Sequence, residues 1–83
     1  MITPGQLRAA RALLGWSASD LAKCAGVHVT TVQRMESRNG RPTRGTVATV
    51  EKVMNVLEDK GIEFHTEEGR NGVLLRDRLA ERK

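Results

Sequence analysis

Two helix-start signals stand fourteen residues apart near the beginning of this chain, and each is followed by a glycine stop. Thr3 precedes Pro4, and Gln6 follows three residues after Thr3: a capping box with proline at the first helical position, where a missing N–H costs nothing. Ile2 and Leu7 occupy the two positions of a hydrophobic staple, Leu7, Ala10 and Leu14 recur at helical spacing, and Gly15 ends the segment. Two residues later Ser17 and Asp20 repeat the box, Trp16 and Leu21 the staple, and Gly26 the stop. Helices this short are marginal alone.

Further along, Val32 and Met35 mark the inward side of a third helix, over about His28 to Ser37. Val29, Thr30 and Thr31 are poor helix formers, so packing must hold this segment helical. Residues 38–42, Arg-Asn-Gly-Arg-Pro, read as a tight loop. Thr43 is then expected to cap a fourth helix with Val47, Val50, Met54 and Leu57 inward and Gly61 as its end. Val53 and Val56 widen that stripe. Beyond Gly61 the period falls to two: Ile62, Phe64 and Thr66, a loop over 67–72, then Val73-Leu74-Leu75, a hairpin. A lone hairpin is marginal in water and must pack on the helices or on another chain.

Composition removes whole classes of function. At 83 residues there is room for one small domain. A single cysteine, Cys24, cannot form an internal disulfide, and with only His28 and His65 for company it cannot hold zinc. Cys24 reads as a small packing or half-exposed residue rather than a redox sensor. There is no nucleophile–base pairing and no glycine-rich phosphate loop, so the chain does not read as an enzyme, and no metal or cofactor is expected. No apolar run is long enough for a membrane span or placed to serve as a signal peptide, which points to a cytoplasmic protein.

The net charge of +4 conceals a strong asymmetry. Residues 1–44 carry seven Lys/Arg against Asp20 and Glu36, residues 45–69 are net −4, and residues 70–83 return to +3. Arg34, Arg38, Arg41 and Arg44 fall within eleven residues, a pattern suited to a polyanion.

Residues 17–37 carry the functional signal. Ala22 is small where two helices cross, Gly26 permits a sharp turn, and Val32 pins the second helix onto the first. That is the recipe of a helix-turn-helix, whose second helix is held out to enter a major groove. The Ala-x3-Gly-x5-Val spacing, with residues 10–17, Leu21-Ala22, Ala25-Gly26-Val27, Thr31-Val32 and Arg34-Met35-Glu36, resembles the Cro/C1-type (XRE) family of bacterial and phage regulators over about residues 3–60. The resemblance implies a mainly α, lambda repressor-like fold, a four-helix helix-turn-helix domain over 1–61; the hairpin over 62–76 is expected to be a dimerisation extension, and the short, basic tail over 77–83 to be disordered.

The same resemblance implies roles. Val29, Thr30, Gln33 and Arg34 take the base-reading positions of the recognition helix, and Arg34 suits guanine and Gln33 adenine. Ser17, His28, Thr31, Ser37, Arg38, Arg41 and Arg44 take the phosphate-contacting ones. Arg11 and Glu36 correspond to a structural ion pair between the first and third helices. Ala18 departs from the family's usual glutamine and removes one anchoring hydrogen bond.

Val53, Val56, Ile62, Phe64, Val73 and Leu75 are more apolar material than one small core needs, and are expected to form a homodimer surface. The function expected is a sequence-specific repressor binding a palindromic operator in double-stranded DNA as that dimer. The alternative is an antitoxin or antiactivator that uses the scaffold to bind a protein, and contact with polymerase or another regulator is a further protein-partner reading.

Overall fold

Each stop signal in the first half of the chain does its work locally. The computed structural model describes residues 2–37 and 46–76, and these form α1 (Pro4–Leu14), α2 (Ala18–Ala25), α3 (Val29–Met35), α4 (Val47–Asp59), β1 (Ile62–Glu67) and β2 (Arg70–Leu75). Both capping boxes are closed: Thr3 Oγ1 accepts from Gln6 N–H at 3.2 Å and Ser17 Oγ from Asp20 N–H at 3.0 Å, with each return bond also made. After α2 the chain reverses at Gly26 (φ 69°), where the amide of Val27 donates to Ala22 at 3.0 Å and that of Gly26 to Lys23 at 3.4 Å. This paired bonding satisfies the last carbonyls of α2 and aims the chain into α3.

The third helix is shorter than the sequence indicates, seven residues, because His28 caps it with no side-chain bond and Glu36 already leaves it. Burial of Val32 and Met35 holds it in place despite its β-branched start. For α4 the cap is Thr46, whose hydroxyl accepts from Thr49 N–H at 3.2 Å, while Thr43 lies outside the described residues. The buried stripe of α4 is accordingly Val50, Val53 and Leu57. Val47, expected inward, is 62% exposed because it opens the helix beyond the edge of the core, and Met54 is half-buried. Lys60, not Gly61, is the C-cap; Gly61 (φ 100°) turns the chain into β1.

The hairpin turn is tighter than the sequence implies. The strands pair antiparallel from Ile62↔Leu75 to Glu67↔Arg70, which leaves Glu68-Gly69 as the turn and draws Asn71 and Gly72 into β2. Ile62 belongs to the core formed by Ile2, Leu7, Ala10, Leu21, Ala22, Val32, Met35, Val50, Val53 and Leu57, and Phe64 and Val73 pack against it. Hairpin and helices therefore share one core.

A buried amide fastens them. Gln6, 3% exposed, accepts from Thr3 N–H through Oε1 and donates from Nε2 to the carbonyls of His65 and Gly72 and to Thr66 Oγ1, at 3.2, 3.1 and 3.4 Å. One side chain thus closes a capping box and ties both strands to the start of α1.

Candidate nucleic-acid interface

The short α3 divides cleanly between its two sides. Val32 and Met35 face the core, while Thr30, Gln33 and Arg34 are exposed at the spacing of a single helical face, with Ser37 exposed just beyond the helix end. This face has the reach and the chemistry for base edges: a guanidinium, a carboxamide and a methyl-bearing hydroxyl side by side. Of the other residues assigned to reading, Val29 is half-buried and packs against the core, so it offers the groove only part of its side chain.

Around that face the polar groups are partly engaged. The ring of His28, exposed at the start of α3, lies 3.2 Å from Thr30 Oγ1 through Nδ1. Thr31 is half-buried. Ser37 donates its hydroxyl to the Arg34 carbonyl at 2.8 Å, closing the end of the helix. Ser17 is exposed at the start of α2, where its oxygen accepts the cap bond. Arg38, Arg41 and Arg44 lie outside the described residues.

The orientation of α3 is fixed from α1. Arg11 makes a two-pronged bond to the Glu36 carboxylate, Nε to Oε2 at 2.6 Å and Nη2 to Oε1 at 2.8 Å, and its Nη1 reaches the Trp16 carbonyl at 3.0 Å. Their side chains are 20% and 10% exposed, so the pair is shielded enough to matter. The bond to Glu36 holds the Arg11 guanidinium above its usual range, against a smaller opposing effect of burial. One turn back on the same face, Arg8 Nη1 donates to the Glu36 main-chain carbonyl at 2.6 Å. Two cations therefore meet the carbonyl end of α3, where the helix dipole favours them. Arg8 escaped the sequence reading, although its three-residue spacing from Arg11 was the available signal.

Two residues assigned to a dimer surface need correction. Val53 and Ile62 are 0% and 2% exposed, buried in the chain's own core and out of reach of a partner. Val56, Phe64 and Val73 are half-buried, and Leu75 is exposed.

A helix-turn-helix family model matches residues 7–60, about two thirds of the chain. The chain belongs to the Cro/C1-type (XRE) helix-turn-helix family, and it is a DNA-binding transcription regulator of that kind. This is a family of DNA-binding regulators rather than of enzymes. No curated protein matches the chain. Among the described residues, no helix is long and apolar enough to cross a membrane.

Proposed function

We propose that the protein is a repressor that binds a palindromic operator as a homodimer, with α3 of each copy in successive major grooves. The observation that carries this reading is the exposed face of Thr30, Gln33 and Arg34 on a helix whose opposite side is locked into the core. Arg34 pairs with guanine O6 and N7, Gln33 with adenine, and the Thr30 methyl with thymine. Val29 adds an edge contact. Ser17, His28, Thr31, Ser37, Arg38, Arg41 and Arg44 hold the phosphates, the first two from the N-caps of α2 and α3.

Pairing two copies follows from size. One seven-residue recognition helix reaches few base pairs, and two half-sites a helical turn apart are the usual remedy. Val56, Phe64, Val73 and Leu75 supply the apolar part of that contact. Repression acts by occupying DNA that polymerase needs.

The salt dependence of affinity tests this reading against a protein-binding role. About eight phosphate contacts across a dimer give a slope near −7 in log K against log salt. A slope near zero, or no retention of duplex DNA at low salt, transfers the function to a protein partner.

A further inference from the structure

We propose that His28 is a positioning residue for base reading: its ring fixes the rotamer of Thr30 and decides whether the Thr30 hydroxyl offers the groove an acceptor or a donor. The inference rests on the base-reading face above and specifies the chemistry of one of its members. Thr30 is the second residue of α3, whose cap is His28. Deeper in a helix, a threonine hydroxyl can bond back to a carbonyl three or four residues earlier and so choose between two rotamers. Thr30 has no helical turn before it to supply that carbonyl. The His28 ring takes its place, with Nδ1 3.2 Å from Thr30 Oγ1, and among the described residues the hydroxyl has no other hydrogen bond.

This contact can run in either direction. A hydroxyl both donates and accepts, and a neutral imidazole has one nitrogen of each kind. With Nε2–H turned to a phosphate, the role given to His28 above, Nδ1 is bare and Thr30 must donate to it. The hydroxyl oxygen then faces the groove as an acceptor, matched to adenine N6 or cytosine N4. Protonation of the ring reverses the bond. Nδ1–H donates, the hydroxyl hydrogen swings outward, and its match becomes thymine O4, guanine O6 or a purine N7. The methyl keeps one direction throughout, because the ring holds Oγ1 in either state.

The charged groups of the elements around α3 are engaged elsewhere. On α2, Asp20 closes the Ser17 box, with Lys23 nearby. On α1, Arg11 forks onto Glu36 and Arg8 meets the Glu36 carbonyl, both at the opposite end of α3 from His28. Arg34 lies on α3 itself, in its last turn. Among the described residues, no carboxylate forms an ion pair with His28. Histidine is the side chain that changes charge between about pH 5 and 8, so pH selects the direction of the bond to Thr30.

Selection of bound duplexes from a random library at about pH 8 and about pH 5.5, with the full chain, tests this. At one position of each half-site the wild type should move from amino bases (adenine, cytosine) to keto bases (guanine, thymine) as pH falls. The change should be about fivefold or more, the low end of what one base contact discriminates. Thr30→Val, which exchanges the hydroxyl for a methyl, should lose that shift and still select the site. His28→Ala should lose it too, and because the His28 side chain makes no cap bond the helix start is left as it is. His65→Gln, at the chain's other histidine, should keep it. Both pH values lie above the range in which Asp20 takes up its proton, so the α2 cap is intact in each. A wild-type site identical at the two pH values overturns the inference, and so does a shift that survives in Thr30→Val. No enriched site at either pH overturns the base-reading face, and this inference with it.

Discussion

Glu36 is the residue on which the recognition helix turns. Its carboxylate takes the fork of Arg11 and its carbonyl takes Arg8, so α1 grips the end of α3 twice. Arg11→Ala leaves a shielded carboxylate without its partner. The cost should be about 2–3 kcal/mol, below the 3–5 kcal/mol of fully buried pairs because part of the guanidinium still meets water. In thermal denaturation that is a fall of roughly 10–20 °C for a domain of this size. Arg11→Met with Glu36→Leu should recover much of the loss, since an apolar pair leaves no charge unsatisfied. Asp20 gives a pH signature. The backbone N–H of Ser17, then its hydroxyl and the nearby Lys23, hold the Asp20 carboxyl below its ordinary range. Its cap contribution is therefore complete above the unfolded carboxyl value of about 3.9 and is lost as pH falls through the lower folded value. Asp20→Asn should flatten the acid limb of the stability–pH profile, and an unchanged limb would contradict this role.

Among the elements, the turns separate two kinds of glycine. A Cβ at Gly26 would meet nothing within 4 Å, so Gly26→Ala costs only left-handed strain, about 1–2 kcal/mol. At Gly61 a Cβ would stand 2.8 Å from the Arg76 carbonyl, so Gly61→Ala should cost more in chemical denaturation and loosen the hairpin base. Gln6→Ala should release the hairpin from α1 at about 1–2 kcal/mol, seen as faster amide exchange in both strands. The caps of α1 and α2 were legible because capping is written in adjacent residues: Thr3 with Gln6, Ser17 with Asp20. The helix-turn-helix followed from Ala22, Gly26 and Val32 for the same reason. What escaped depended on distant parts of the chain. Nothing near Gln6 in sequence announces that its amide meets His65 and Gly72, nor anything near Arg8 that it reaches Glu36. The apolar repeat of α4 was visible, but which turn falls outside the core was set by where the other helices end. In the hairpin, Ile62 looked like spare apolar surface only because the shared core was hidden.

For the whole molecule, the segregation of charge takes on a physical meaning. The helix-turn-helix lies in the basic first part of the sequence, and the acidic stretch falls in α4, β1 and the turn, elements that follow it. A regulator arranged in this way is drawn to DNA by one part and repelled by another, which favours one docking orientation. The exposed face of α3 is expected to read sequence. Selection of bound duplexes from a random library, with the wild type and Arg34→Ala in parallel, tests it directly. The wild type should enrich a two-fold symmetric site with a fixed guanine in each half. Arg34→Ala should lose the preference at that guanine while retaining the rest of the site, a loss of about 1–3 kcal/mol of discrimination. No enriched sequence from the wild type, or the same site at full stringency from the variant, would rule out base reading by Arg34.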